Sequence, residues 1–193
     1  MFNIPYKTSS GLSLIPIESW LISESKLFIH GEITENTASE FVQKLMYLRK
    51  EKPDERIKIY VNSIGGNLNA GKLIYDAIKS QKSKIDIICT GMAASMAAII
   101  LAGGQKGRRY ILPRSEVMIH EPFVEGGVGG SSDSIRRTAE TLLRNKREAI
   151  ELLAADTGKS AAEVEKAISY DHYMTAKEAI AFGICDKIIK DFV

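Results

Sequence analysis

The sequence predicts an α/β fold in which short strands alternate with helices. Runs rich in β-branched residues, at 57–62 and 85–90, are bounded by turn residues and are typical of buried strands. Stretches with apolar residues at helical spacing lie between these runs, as over residues 67–79. The length of 193 residues fits one domain with a substantial core. We therefore expect one α/β domain for most of the chain.

All but one of the predicted strands lie before residue 120. Thr34 and Asn36 are candidate N-caps for a helix that ends before Pro53, because proline removes a backbone donor. A small-residue turn follows the strand at 85–90 and leads into a buried helix. The predicted elements are a strand at 26–30, the capped helix, a strand at 57–62, a helix at 67–79, a strand at 85–90, the turn and helix at 91–102, and strands at 109–112 and 116–119.

The second half of the chain is more helical. Serines at 131–132 can cap a long helix that stops near Gly158. Ser160 with Glu163, and Thr175 with Glu178, form two capping-box signatures. The last helix ends at Gly183, and residues 185–190 can form a final strand. Four glycines and three serines cluster in residues 125–134, which is typical of a flexible loop or a weakly specified strand.

Composition excludes several functions. The 26 basic residues against 24 acidic ones give a net charge of +2, so no nucleic-acid footprint is expected. Cys89 and Cys185 lie in apolar surroundings and are predicted to be buried, with no metal site. No phosphate-binding glycine motif occurs, so no cofactor is expected in this chain. Without a signal sequence or an apolar run long enough to span a bilayer, we expect a cytoplasmic protein with no membrane contact.

Ser95 is the candidate nucleophile. Small residues surround it in the segment 91–98, where a strand turns sharply into a helix. Such neighbours let the turn pack tightly and leave the hydroxyl exposed, as in the nucleophile elbow of hydrolases, and the N–H of Met96 would point toward a substrate carbonyl. The alternative is a serine in an alanine-rich buried helix whose hydroxyl bonds back to its own backbone.

A serine nucleophile needs a base, and the chain has only three histidines. His120 ranks first because it follows the apolar strand 116–119, and the carboxyl ends of strands carry reactive groups in α/β proteins. His30 and His172 are expected to be surface or core residues. The residues alone do not select the orienting carboxylate, because eight aspartates are present and none is singled out locally.

Several motifs in order resemble the Clp endopeptidase family, the ClpP proteolytic subunits. The resemblance covers residues 26–190, nearly the whole chain. It is carried by NSIGG at 62–66, AGKLIYD at 70–76, GMAASMA at 91–97, MIHEP at 118–122, and MTAKEA at 174–179 with the glycine at 183 behind it.

The resemblance implies a serine peptidase of the crotonase-like ClpP fold, with repeated β-β-α units and a protruding strand–helix handle. By its motifs, Ser95 is the nucleophile, His120 the base and Asp171 the orienting carboxylate. The oxyanion hole would be the backbone N–H groups of Gly66 and Met96.

The resemblance also implies an assembly. Two stacked heptameric rings would enclose a chamber, and a partner AAA+ ATPase would unfold protein substrates and use the ATP. Residues 1–25 would form an N-terminal axial segment and residues 26–193 the peptidase domain, with the handle at about 121–158.

The sequence also departs from the family pattern. Ile64 replaces the usual proline, and Glu121 the usual glutamine after the histidine. Lys58 stands where an aromatic residue of the ATPase-docking pocket is common, and Tyr170 replaces an arginine implicated in ring pairing. These departures keep a second hypothesis open, a non-catalytic or regulatory subunit of a mixed ring. A third is a crotonase-type acyl-CoA enzyme, which shares the fold.

Overall fold

The computed structural model describes residues 2–8, 11–81, 84–124 and 126–191. Strands and helices alternate along most of this chain. The elements are β1 (Asn3–Thr8), β2 (Gly11–Pro16), α1 (Ile17–Ser23), β3 (Lys26–Ile33), α2 (Glu35–Glu51), β4 (Ile57–Gly66), α3 (Leu68–Lys79), β5 (Ile85–Ala94), α4 (Met96–Ala102), β6 (Arg109–Ile111), β7 (Glu116–Ile119), α5 (Ser132–Thr157), α6 (Ala161–Ile168), β8 (His172–Thr175), α7 (Ala176–Phe182) and β9 (Lys187–Ile188).

A mostly parallel sheet organises the molecule and confirms the predicted α/β class. In the described residues its strand order is β3-β4-β5-β6-β9. The last residues of β5, Met92 to Ala94, pair with β7 and not with β6, and β7 pairs antiparallel with β8. Because the other pairs are parallel, the carboxyl ends of β3, β4 and β5 meet at one edge of the sheet. That edge carries the turns that follow β4 and β5.

Helices cover the sheet and bury its apolar side chains. Helix α2 turns Phe41, Leu45 and Leu48 inward, which is the apolar stripe that its sequence predicts. Helix α4 is buried at every position, so it runs through the core and has no polar face. Parallel strands covered on both faces read as apolar runs, as β4 does over residues 59–61 and β5 over residues 87–89.

Four strands differ markedly in length from their predictions, and the first of them, β3, continues past residue 30 to Ile33. Strands β4 and β5 continue to Gly66 and Ala94, because a register shift in their pairing lets both strands run on into the turn motifs. The final strand is only Lys187–Ile188, where it pairs with β6.

The strand expected in the handle does not form in the described part of residues 120–131. Glu125, which belongs to this segment, lies outside the described residues. A strand needs a partner for its N–H and C=O groups, and no strand of the described residues pairs with this segment. The helical part of the handle does form, as the 26-residue α5 capped by Ser131 and closed by Gly158 in the left-handed conformation.

The first elements are held to the sheet mainly by polar contacts. Strands β1 and β2 form an antiparallel hairpin, and α1 has no buried residue. Lys44 of α2 pairs with Glu18, and the Nζ of Lys52 donates to the carbonyl of Ser23 at 2.6 Å. Met1 and residues 9–10 of the predicted axial segment lie outside the described residues. The boundary at residue 25 stays a prediction.

Both cysteines are buried, as predicted. Burial raises the pKa of the Cys89 thiol to about 11 and also raises that of Cys185, so neither is a ready thiolate at neutral pH. Among the described helices, none combines the length and apolar character needed to cross a membrane.

Asp186 fixes the turn before β6 through several donors. Its carboxylate accepts from the backbone N–H of Gly107 at 2.7 Å, and from the N–H and the guanidinium of Arg109 at 2.5–3.0 Å. Arg109 is 3% exposed and also donates to the carbonyls of Ala102 and Asp156. Burial raises the pKa of Asp186, but the hydrogen bonds from Arg109 and Gly107 outweigh it and leave that pKa below its ordinary value.

We expect the substitution Asp186→Asn to destabilise the fold by about 3 kcal/mol, because it leaves the buried Arg109 guanidinium without its counter-charge. The measurement is urea unfolding at fixed protein concentration. Asp54→Asn is the matched control, since Asp54 is exposed and forms no salt bridge with the described residues. An equal effect of both substitutions would contradict the expectation.

The same substitution changes the dependence of stability on pH. A carboxyl whose folded pKa is lowered contributes stability that is fully present above its unfolded pKa of about 4 and is lost as pH falls through the folded value. The wild type should therefore lose more stability than Asp186→Asn on acidification below about pH 4. Parallel losses in the two proteins would exclude this role for Asp186.

Candidate active site

Ser95 occupies the turn between β5 and α4. Its φ of 55° lies in the left-handed region, which is costly for a residue with a Cβ. Its N–H donates to the carbonyl of Met118 at 2.8 Å, so the turn is tied to the end of β7. The buried side chains on both sides, from Ala93 to Ala98, are small enough for the backbone to bend this sharply, apart from that of Met96. The predicted elbow geometry is therefore present.

The hydroxyl of Ser95 points away from its own helix. It forms no capping hydrogen bond with α4. Its partner is His120, whose Nε2 lies 2.9 Å from Oγ. The alternative of a serine bonded back to its own backbone is therefore wrong for this hydroxyl. The bent turn, and not the helix, decides where the oxygen lies.

His120 is the histidine that the fold brings to Ser95. It directly follows β7, and its side chain is 15% exposed. Its Nδ1 lies 3.1 Å from Oδ1 of Asp171, and the ring of Phe123 contacts it edge-on with centroids 5.4 Å apart. The imidazole is therefore held on both nitrogens and along one edge. Of the two other histidines, His30 lies on β3 and His172 on β8, and neither contacts Ser95.

Asp171 reaches His120 through the antiparallel pairing of β7 and β8. Ile119 pairs with His172 in that register, so the residues that adjoin them along the chain also lie side by side. Its side chain remains 64% exposed. Sequence reasoning from the residues could not select this aspartate, because its selection depends on a pairing between segments about fifty residues apart.

Gly65 and Gly66 bring the end of β4 against the Ser95 turn. Both have positive φ, 88° and 146°. A Cβ on Gly65 would lie 2.8 Å from the Cβ of Ser95, and one on Gly66 would lie 2.4 Å from the carbonyl oxygen of Ile33. Neither position can carry a side chain without moving its neighbours, so the glycines are required for this close approach.

A cleft of about 590 Å³ opens in front of these turns. Gly66 and Met96, the two predicted N–H donors, both line it with Ser95 and His120. Met96 is the first residue of α4, so its N–H has no carbonyl partner within the helix. The two donor positions and the reactive side chains therefore face one space.

The far wall of the cleft was missed by sequence reasoning. Helix α5 contributes Thr138, Thr141, Leu142 and Asn145, none of which lies in one of the sequence motifs. Small polar residues one turn apart on a largely apolar face were the available signal. The wall opposite α5 includes Ile64, which replaces the proline that is usual at this position in the family.

Glu121 is turned away from the imidazole. Its carboxylate binds Nζ of Lys146 on α5 at 2.6 Å, and its backbone N–H donates to the carbonyl of Ile168 at 2.7 Å. The hydrogen bond that Lys146 donates to Glu121 raises the pKa of Lys146. The acidic residue beside His120 thus fastens the loop to α5 and to the end of α6, and it does not form a second carboxylate contact to the ring.

The arrangement of Ser95, His120 and Asp171 can move a proton from the serine hydroxyl to the histidine ring. With its proton on Nδ1, the His120 ring donates to Asp171 and presents Nε2 to accept from the Ser95 hydroxyl. Removing that proton makes Oγ a nucleophile at the mouth of an apolar cleft.

Comparison with known families agrees with this geometry. The family model described as Clp protease matches residues 9–192, which is almost the full length of the chain. The match extends over the sheet, the Ser95 turn, His120, the long helix α5 and the segment that carries Asp171. The chain therefore belongs to the Clp protease family.

Proposed function

We propose that this chain is a serine endopeptidase, the proteolytic subunit of an ATP-dependent Clp protease. Family membership supports a ClpP-type peptidase. The observation that carries the serine mechanism is the continuous chain of contacts from Ser95 Oγ through His120 to Asp171, at 2.9 and 3.1 Å. No other histidine contacts a serine hydroxyl in the described part of the chain, which makes these residues the proposed triad.

The first chemical step would be attack on a peptide carbonyl. Ser95 Oγ forms a bond to the carbonyl carbon while its proton passes to His120 Nε2. Collapse of the tetrahedral intermediate breaks the C–N bond, and His120 gives the proton to the leaving amine. Water then attacks the acyl-enzyme ester by the same route and releases the acid, so Ser95 regains its proton.

Asp171 and the two backbone donors would lower the barrier by charge stabilisation. Asp171 holds the proton on Nδ1 and stabilises the imidazolium that forms at His120. The N–H groups of Gly66 and Met96 would bind the oxyanion, a contribution worth about 10²–10³ in rate for each donor. The rigid contact of Gly65 with the Ser95 turn supports this preorganisation.

The assembly belongs to the same proposal. The chain would form two stacked heptameric rings in the cytoplasm, and an AAA+ Clp ATPase would deliver unfolded protein. The ATP would be used by that partner, since this sequence has no phosphate-binding motif. Support comes from the family match and from the segment that follows His120, which pairs with no strand in the described part of the chain. Confinement in a chamber would keep a weakly selective peptidase from folded cellular proteins.

Light scattering coupled to size exclusion tests the assembly. We expect a double-heptamer mass for the purified protein, and a transition to one heptamer under conditions that weaken ring pairing. A stable monomer or dimer at all concentrations would contradict the ring proposal while leaving the serine chemistry open to a separate test.

Ser95→Ala tests the nucleophile. We expect it to abolish labelling by a fluorophosphonate probe and to lower peptide hydrolysis by about 10⁴-fold or more, because no oxygen remains to form the acyl bond. Ser39→Ala is the control, since Ser39 is exposed on α2 and away from the cleft. A Ser95→Ala protein that is still labelled would exclude Ser95 as the nucleophile, whereas a wild type that is neither labelled nor active after assembly would favour the non-catalytic ring subunit.

Gly65→Ala tests the close approach of the two turns. The added methyl group would meet the Ser95 Cβ and the Ala94 carbonyl at under 3 Å. We expect the rate of probe labelling to fall at least about tenfold while the fold is retained, because displaced reacting atoms lose their alignment.

Gly107→Ala is its matched control. Gly107 has a similar φ of 83°, but a Cβ there meets no atom within 4 Å. It carries the same backbone strain, about 1 kcal/mol, without touching the site. Equal labelling rates for the two variants would show that backbone strain alone, and not the contact with Ser95, sets the effect.

A further inference from the structure

The cleft holds one carboxylate that the proposed mechanism does not use. Glu32, at the end of β3, lines the cleft together with Gly66 and Leu68. Besides Glu32, the only titratable side chain among the described residues lining it is His120. The walls are otherwise apolar or neutral, so this carboxylate sets the charge that a bound peptide meets.

The position of Glu32 follows from an irregularity in the sheet. Residues 30 and 62 are paired, but Glu32 is paired with Gly65, so β4 has one extra residue between the two pairs. Bulges of this kind re-aim side chains beside active sites. The result places Glu32 Cγ only 3.1 Å from where a Cβ on Gly66 would lie. The Glu32 side chain therefore lies beside Gly66, whose N–H is proposed to hold the oxyanion.

Glu32 has no counter-ion of its own. No lysine, arginine or histidine within the described ranges forms a salt bridge with it, and the residue is exposed. The nearby Lys44 is taken up by Glu18 and by Glu40, the latter at 2.8 Å. Glu18 and Glu40 share with Glu32 a second depression of about 210 Å³, which also contains His30. Three carboxylates against one lysine make the field at this edge negative.

We propose that Glu32 selects peptides by charge, favouring a lysine or arginine side chain and disfavouring an aspartate or glutamate at the peptide position that passes over Gly66. The proposal rests on the proposed peptidase function. A cationic side chain there would gain the counter-ion position that the fold leaves open, and an anionic one would meet like charge. Because Glu32 is exposed, water screens both effects, so the expected preference is modest.

Internally quenched peptides test the selection. A series with a fixed cleavage site carries lysine, glutamine or glutamate at one position at a time on either side of the scissile bond. For the wild type we expect one position at which kcat/KM for lysine exceeds that for glutamate by about threefold or more. The ratio should shrink as salt is raised, because screening weakens both attraction and repulsion.

Glu32→Gln should bring the lysine-to-glutamate ratio at that position close to one. Glu35→Gln is the control, since it removes the same charge from an exposed residue three positions along that does not line the cleft. It should keep the wild-type ratio. A ratio that depends on total charge would change equally in both variants and would overturn the proposal.

The failures of the two proposals are separable. Cleavage of the series with no lysine preference at any position, or a preference that survives Glu32→Gln, would overturn charge selection and leave the peptidase intact. Absence of cleavage together with absence of Ser95 labelling would overturn the peptidase, and charge selection with it.

Discussion

The close approach of two turns is the constraint on which the rest of the site depends. Gly65 and Ser95 touch at a distance that no larger residue at position 65 allows. Beside that contact Ser95 has a φ of 55°, and its hydroxyl lies 2.9 Å from Nε2 of His120 and does not cap helix α4. A Cβ on Gly65 would also lie 3.0 Å from the backbone nitrogen of Met96, which lines the cleft with Gly66. The strained Ser95 is thus packed against a position that admits only glycine without movement of its neighbours.

The positions of His120 and Asp171 depend on strand pairing and not on a glycine contact. His120 and Asp171 meet through a short antiparallel pair at the margin of the sheet, and Asp171 is largely exposed. An exposed carboxylate stabilises a charged imidazole less than a buried one does, because water screens it. The contacts that hold this margin of the sheet are therefore important. Glu121 supplies two of them, an ion pair with Lys146 and a backbone hydrogen bond to Ile168. A residue that departs from the family pattern acts here as a fastening for the loop that carries the base.

The residues alone predicted what is local and missed what is long-range. The elbow at Ser95 and the choice of His120 could be predicted, because small neighbours and the end of an apolar strand are properties of adjacent residues. Asp171 could not be distinguished from the other aspartates without the β7–β8 register, and only the family resemblance selected it. The role of Glu32 was equally hidden, since it depends on a shift in pairing between β3 and β4. The strand predicted in the handle does not form in the described part of that segment, for a third reason: a strand needs a partner strand to pair with its backbone groups.

That missing partner connects the single chain to the proposed machine. The segment after His120 pairs with no strand in the described residues and exposes Phe123, and α5 exposes Leu143. At the other end of the chain the hairpin exposes Leu12 and Leu14, each by more than 70%. Scattered apolar residues need no explanation, but clusters of them at an unpaired edge favour burial against another chain. A ring of copies would cover such edges, and the near-neutral net charge of +2 opposes that packing very little.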